Sequence, residues 1–304
     1  MKKNNPDHEN ELKRGFELIK NLKFKEAVEI FDKFLEKYPV NLDAWYYKAT
    51  ALHYLNQFED EIACYDKIMG IKPSEEAWYN KGFALSSLGR YKEAIECYKK
   101  VLKMNPDDAE AWLLQGLALY NLKKYEEALS CYTKITDLYP EHKEAWFRKG
   151  MTAGVLEKFE ESLEYHERAL EIDPKFISAL FAKGMTLELL KKQNEAIACY
   201  NRTIEIDPMY IHAWYRKGIA LLGLGEHEEA IKCMDAALEI DPSFKIARVQ
   251  KQIIEKGIKE ELQEIQLDFS RIEETDEGFI YEDKEGKLWK LHFDKSDENE
   301  ELGK

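Results

Sequence analysis

Residues 75–108 read EEAWYNKGFALSSLGRYKEAIECYKKVLKMNPDD, and this 34-residue stretch recurs with small changes along most of the chain. A proline closes each copy, and the prolines follow one another at intervals of 33 or 34 residues. They are Pro39, Pro73, Pro106, Pro140, Pro174, Pro208 and Pro242. A fixed period of this size predicts stacked units that bury a core between neighbours, without the single cleft of a globular enzyme.

Small and large residues alternate at fixed places within each copy. The predicted repeats, numbered one to seven, cover residues 8–41, 42–74, 75–108, 109–142, 143–176, 177–210 and 211–242. Counted from the start of a repeat, position four is Trp in five repeats, position eight is Gly in six and position twenty is Ala in five. The small residues predict two helices in close approach, and the large ones, including an aromatic at position twenty-four, fill the wider gaps.

This pattern resembles the tetratricopeptide repeat (TPR), whose two antiparallel helices carry W-x2-L-G-x2-Y, A-x3-F and a closing proline. The resemblance covers residues 8–242 and implies an all-α fold, a right-handed superhelical solenoid of helix-turn-helix repeats. Position seven departs from the family pattern, because Lys stands there in five repeats where the pattern has Leu. A lysine stem can cover apolar surface while its ammonium reaches water, so these residues are compatible with the packing.

Composition limits the partners and the compartment. The chain has 45 basic and 59 acidic residues, a net charge of -14, which repels polyanions. We therefore expect neither nucleic acid nor an anionic membrane as a partner. No apolar run approaches the roughly 18 residues of a membrane span, and the polar start has no signal-peptide core, so a cytoplasmic protein is predicted.

The five cysteines all occupy position twenty-three of their repeats. They are Cys64, Cys97, Cys131, Cys199 and Cys233. Equivalent positions on stacked helices lie about 10 Å apart or more, beyond the roughly 7 Å Cα separation that a disulfide can bridge. We predict packed, free thiols in a reducing compartment.

Motifs for catalysis or cofactor binding are missing from the sequence. It contains no G-x-G-x-x-G, G-x-x-x-x-G-K, G-x-S-x-G or H-E-x-x-H, and its histidines are scattered among the repeats. The sequence therefore predicts a non-catalytic protein with no metal and no cofactor.

The resemblance also implies where a ligand binds, because positions five, nine, twelve and thirteen of the first helix line the concave groove in this family. Positions five and nine are one helical turn apart and share a face. They are almost all apolar here, and the predicted partner-binding residues are Tyr46, Tyr79, Phe83, Leu113, Leu117, Phe147, Met151, Phe181, Met185, Tyr215 and Ile219. Chaperone-binding members of the family hold two carboxylates with Lys and Asn or Arg side chains in this groove. Positions five and nine of this chain carry none of these three residue types. We expect instead a peptide or an amphipathic helix of another protein.

Position two is acidic in repeats two to five and predicts a rim along the groove that favours a basic partner. These residues are Asp43, Glu76, Glu110 and Glu144.

The end of the chain leaves an alternative open. Residues 243–262 continue the helical pattern and predict a capping helix. Residues 263–304 form an acidic tail with a possible β-hairpin at 278–293, and residues 294–304 read as disordered. An isolated hairpin is marginally stable, so this one should dock on a surface. As an alternative to an external ligand, the tail could occupy the groove, and the chain would then be a self-associating assembly or regulatory subunit. A third interpretation is that the apolar positions only pack within the repeats.

Glu61 breaks the small-residue pattern at position twenty. A carboxylate without a partner there would be desolvated or forced outward, so the sequence predicts that Glu61→Ala stabilises the chain.

Overall fold

A computed structural model describes residues 6–255 and the strands at 272–275, 278–282 and 288–292, with side chains described for residues 9–255. The chain divides into two compact units, Met1–Ile206 and Asp207–Lys304. The helices are α1 Pro6–Lys20, α2 Phe24–Lys37, α3 Leu42–Tyr54, α4 Phe58–Ile71, α5 Glu75–Ser87, α6 Tyr91–Met104, α7 Ala109–Asn121, α8 Tyr125–Leu138, α9 Lys143–Val155, α10 Phe159–Ile172, α11 Ile177–Leu189, α12 Gln193–Ile206, α13 Ile211–Gly223, α14 His227–Ile240 and α15 Lys245–Glu255. This all-α solenoid architecture confirms the predicted fold class.

Each helix of the first unit packs against the next one along the chain, and neighbouring first helices also touch at α1–α3, α5–α7 and α9–α11. The first helices start where side chains can cap them. Asn41, Ser74 and Asp108 each accept a hydrogen bond from the backbone N–H three residues later, at 2.8 to 3.1 Å. Such caps satisfy one of the unpaired donors at a helix start.

Tryptophan at position four and the closing proline are joined by a hydrogen bond. The indole Nε1 of Trp45 donates to the carbonyl oxygen of Pro39 at 2.9 Å, and that of Trp112 donates to Pro106 at 2.8 Å. The same bond recurs at Trp146 and at Trp214. The two most regular features of the sequence therefore fix one junction between successive repeats.

Glycine at position eight lies directly beneath the aromatic ring at position twenty-four. A Cβ placed on Gly82 would lie 2.8 Å from Cε1 of Tyr98, and one placed on Gly116 would lie 2.6 Å from Cε1 of Tyr132. The small residue of the first helix thus faces the large residue of the second. The ring fills the space that the missing Cβ leaves, so glycine and ring form a single contact.

Three of the lysines at position seven form ion pairs with the preceding repeat. Lys48 Nζ lies 2.6 Å from Oδ1 of Asp32, and Lys183 Nζ lies 2.9 Å from Oε1 of Glu167. Lys81 pairs with Asp66 in the same way. In each pair the acid is at position twenty-five of the preceding repeat, so the departure from the family pattern is compensated by a second polar position.

Lys149 has no such acid, because Thr133 occupies that position in the preceding repeat. Its ammonium lies 4.8 Å from the ring of Trp146 and 4.5 Å from that of Tyr165. Burial lowers the pKa of the Lys149 amine. The aromatic faces take over part of the stabilisation that an acid gives to Lys48, Lys81 and Lys183.

The second unit contains α13, α14, α15 and a small antiparallel sheet of β1 Ile272–Thr275, β2 Gly278–Glu282 and β3 Leu288–His292. Strands β2 and β3 pair with Phe279 opposite Leu291, within the range predicted for the hairpin. The additional strand β1 pairs with β2, so the expected two-stranded hairpin is a three-stranded sheet. The remainder of the predicted capping helix beyond α15, the hairpin turn and residues 294–304 lie outside the described residues.

Candidate functional site

Aromatic residues at position five pack against the second helix of their own repeat. The ring centroid of Phe181 lies 5.7 Å from that of Tyr200, and the centroid of Phe147 lies 5.9 Å from His166 and 5.3 Å from Phe176. Tyr46 and Tyr79 make similar contacts with the aromatic at position twenty-four. The side chain at position five therefore contributes to the core of the repeat. Only part of its surface remains open to a ligand.

Two predicted partner-binding residues are buried. Leu113 and Tyr215 each expose only 8% of their surface. Leu113 belongs to a core cluster of α7 and α8, and Tyr215 to one in the second unit. Both are packing residues, and neither belongs to an exposed contact surface.

The tyrosines at position five also bridge to the next repeat. The Tyr46 hydroxyl lies 3.0 Å from Oγ of Ser74, the residue that caps α5. Burial and the neighbouring Glu110 carboxylate raise the pKa of Tyr79 to about 12. Both hydroxyls are thus used within the protein.

Position nine contributes to the opening between α5 and α7. Phe83 and Leu117 line a cavity of about 260 Å³. Its other lining residues are Ser86, Ser87, Tyr91, Leu114, Ala118 and Asn121. Ser86, Ser87 and Asn121 stand at positions twelve and thirteen, so three of the four positions that the family resemblance assigns to the groove meet at one cavity.

Position thirteen carries the exposed apolar side chains that the residue-level prediction missed. Tyr54 exposes 61% of its surface, Val155 42% and Leu189 57%, compared with 41% for Phe83 at position nine. Met151 and Met185, one helical turn before Val155 and Leu189, are half-buried. The four-residue spacing from position nine was the available signal, since it places position thirteen on the same helix face.

The acidic rim is only partly available to a partner. Asp43, Glu76 and Glu110 are exposed. Glu144 is half-buried, and its Oε1 accepts a hydrogen bond from Arg148 Nε at 2.7 Å. This pair offsets the charge of Glu144, so the rim consists mainly of the other three residues.

Glu61 is buried and has partners, so the expectation of an unpartnered carboxylate is wrong. Its Oε2 lies 3.1 Å from Nδ1 of His53. Burial raises the pKa of Glu61, and the interactions with His53 and Tyr65 oppose that shift. Removing the carboxylate would leave those two groups without their acceptor, which offsets the gain from relieving its desolvation.

The cysteines are free, and four of the five are buried, as the repeat position predicted. Burial raises the pKa of Cys64 and Cys131 to about 12 and that of Cys97 to about 11. No group of three or more His, Cys, Asp or Glu side chains in the described residues could hold a metal ion.

We expect the native thiols to react slowly with a disulfide reagent at pH 8, because the thiolate is both buried and scarce. Cys199, which is half-buried, should react first. Absorbance of the released thiol measures the rates, and unfolding in urea should make all five react fast. Modification of two or more native thiols at the rate of the unfolded chain would contradict the packing interpretation.

No helix among the described residues has the length and apolar character that a membrane span requires.

Family models described as tetratricopeptide repeat match residues 12–76, 75–108, 109–142, 144–176, 177–209 and 212–244. With paired helices, inter-repeat contacts and exposed apolar first-helix positions, the chain is an α-helical repeat scaffold of the protein-binding class. It belongs to the tetratricopeptide repeat family. Proteins of this family bind other proteins or peptides, and the fold is typically non-catalytic.

Solved structures show the same architecture. MamA is 27% identical over 53% of this chain and 94% of its own, with a TM-score of 0.51. YrrB, described as a TPR protein with an unusual peptide-binding site, is 25% identical over 62% of this chain and 96% of its own, with a TM-score of 0.51. A tetratricopeptide repeat protein from Parabacteroides merdae ATCC 43184 is 15% identical over 82% of this chain and 99% of its own, and its TM-score of 0.63 shows a shared fold alone. The comparison with curated proteins gave no match.

Proposed function

We propose that this chain is a non-catalytic adaptor that binds a peptide or amphipathic helix of another protein along positions nine and thirteen of repeats two to six. The observation that carries the proposal is the exposure of Tyr54, Phe83, Val155 and Leu189 at these positions, beside the half-buried Leu117, Met151 and Met185. We call this set, Tyr54, Phe83, Leu117, Met151, Val155, Met185 and Leu189, the groove surface.

The cavity beside Phe83 supports an extended ligand over a small molecule. Its volume of about 260 Å³ is below the roughly 300–1,000 Å³ of typical small-molecule pockets. A space of this size suits one bulky apolar side chain of a longer segment. Helix-in-groove recognition uses such anchors at spacings of three, four and seven residues.

Charge favours a basic segment. Asp43, Glu76 and Glu110 are exposed near the N-terminal ends of their helices. Each lies seven residues before position nine of the same helix. At a rise of about 1.5 Å per residue, Glu110 lies roughly 10 Å along α7 from Leu117. A ligand with apolar residues on one face and lysine or arginine beside it meets both features, and the similarity to YrrB, a peptide-binding TPR protein, agrees with a peptide ligand.

Replacing two exposed groove residues should weaken binding strongly and leave the fold intact. The variant is Val155→Ser with Leu189→Ser, and the probe is a labelled 14-residue peptide with Leu at i, i+3, i+4 and i+7 and Lys elsewhere. We expect its affinity to fall about 30-fold, roughly 2 kcal/mol, because both anchors are lost. Fluorescence anisotropy measures the affinity.

The matched control is Val40→Ser with Met104→Ser, which removes two exposed apolar side chains outside the first helices. It should bind the peptide as the unmodified chain does. A second peptide with Glu in place of Lys should bind more weakly. Equal binding by both double variants would show that the groove surface is not the contact.

A further inference from the structure

In two repeats, the polar residue at position twelve pairs with the tyrosine at position twenty-four. The Oγ of Ser86 lies 3.2 Å from the Tyr98 hydroxyl, and the Tyr200 hydroxyl donates to Oε2 of Glu188 at 2.8 Å. In these repeats the position-twelve side chain is used within the protein.

Repeat two is built differently. Its tyrosine, Tyr65, interacts with the buried carboxylate of Glu61. The side chain of Glu61 is only 3% exposed, and it also holds Nδ1 of His53, the residue at position twelve. In repeat two, Glu61 is therefore the partner of the tyrosine, as the position-twelve residue is in the other two repeats. Glu61 contacts Nδ1 of His53, and Nε2 of that ring takes no part in the contact.

The outer edge of His53 is open to the groove surface. Its side chain is 37% exposed, and its Nε2 has no hydrogen-bond partner among the residues that the structure describes. Three rings surround the imidazole: the centroids of Tyr54, Phe58 and Phe83 lie 6.0, 5.8 and 5.7 Å from it. Tyr54 and Phe83 belong to the groove surface, so His53 is a polar group among its apolar anchors.

Glu61 is not a requirement of the fold. Position twenty is Ala in five other repeats and Ser162 in repeat five. Burying a carboxylate lowers stability unless its partners compensate for the lost hydration. A residue that is costly for packing and that orients an exposed histidine points to a role in recognition.

We propose that His53 is a specificity-determining residue of the groove surface and that Glu61 is its positioning residue. The Glu61 carboxylate accepts a hydrogen bond from Nδ1–H, which keeps the proton of the neutral ring on Nδ1 and leaves a lone pair on Nε2. Nε2 then accepts a hydrogen bond from the bound segment, from a lysine ammonium, an arginine guanidinium or an amide N–H. This inference rests on the proposed function and names the chemistry that one part of that surface selects.

Three variants of the full-length chain test the proposal with the same Leu/Lys and Leu/Glu peptides. His53→Phe keeps an aromatic ring and removes both nitrogens. Glu61→Gln keeps an oxygen acceptor for Nδ1–H, whereas Glu61→Ala releases the imidazole. We expect His53→Phe and Glu61→Ala to lower the affinity for the Leu/Lys peptide about tenfold and to reduce its preference over the Leu/Glu peptide. Glu61→Gln should retain binding within about threefold.

Nitrogen-15 NMR of the histidine rings supplies a readout that a merely structural role would not change. His53 should show the Nδ1–H tautomer in the unmodified chain and in Glu61→Gln, and lose it in Glu61→Ala. If His53→Phe and Glu61→Ala bind as the unmodified chain does while Val155→Ser with Leu189→Ser shows the expected loss of about 30-fold, His53 has no recognition role and the groove proposal stands. An Nε2–H tautomer in the unmodified chain would also overturn the inference. If the groove double variant binds normally as well, the proposed function itself fails.

Discussion

Replacing Gly184 with alanine is expected to lower the free energy of unfolding by about 3 kcal/mol. A Cβ at this position would lie 2.5 Å from Cε1 and 2.8 Å from Cζ of Tyr200. The ring cannot easily move, because it is fully buried, packs against Phe181 and donates its hydroxyl to Glu188. The added methyl group therefore forces apart two helices that are already in contact. Urea unfolding followed by circular dichroism measures the change.

Gly70→Ala is the matched control. Gly70 also lies within a helix, α4, but a Cβ there would meet nothing within 4 Å. Alanine should raise stability by up to about 1 kcal/mol through its higher helix propensity. Ala49 stands at position eight of repeat two, so the fold accepts a methyl group where the neighbouring ring is placed to receive it. A Gly184→Ala chain as stable as Gly70→Ala would show that the contact with Tyr200 relaxes freely.

Acidification is expected to destabilise the chain through His166 by about 2 to 3 kcal/mol between pH 7.5 and 4.5. The imidazole is buried at position twenty-four, its Nδ1 has no partner among the described residues, and burial, with Lys183 second, lowers the pKa of His166 to about 4. An unfolded histidine has a pKa near 6.5, so the unfolded chain binds the proton first. The stabilisation is complete above about pH 6.5 and is lost as the pH falls toward 4.

His166→Phe isolates this contribution, since Phe31 already fills the same position in repeat one. Its urea midpoint should fall less on acidification than that of the unmodified chain. Burial raises the pKa of Glu61. A raised carboxyl pKa favours the folded state at low pH, so the contribution of Glu61 to the pH dependence opposes that of His166. It is present in both the unmodified chain and the variant. Equal pH dependence in the two chains would assign the acid sensitivity to other groups.

The repeat period, the helix pairs and the buried positions follow from the sequence, because they depend on contacts within one repeat or with the next. Most copies carry small and large residues at the same positions, so seven prolines, six glycines and five cysteines carry consistent information. The cysteines illustrate this, since their shared position predicted packed thiols and four of the five are buried. The family resemblance, and not the period, pointed to positions five, nine, twelve and thirteen as the lining of a groove.

The tertiary structure decided which of these positions are exposed. Positions five and nine lie on the same helix face, but a ring at position five meets the aromatic at position twenty-four, as Phe181 meets Tyr200. Position thirteen lies beyond that ring, so Leu189 is exposed. Which of the two is covered depends on the side chain that the second helix places opposite, and the pattern of the first helix does not contain that information.

Partners of polar residues were likewise settled only by tertiary contacts. Lys48 reaches Asp32 in the preceding repeat, and Glu61 meets His53 across the helix pair. In the sequence Lys48 and Glu61 show only as departures from the repeat pattern, and that pattern does not identify their partners. The free energy of a buried charge depends on the group within about 3 to 4 Å of it, and that group is fixed by the packing of helices rather than by the period that generates them.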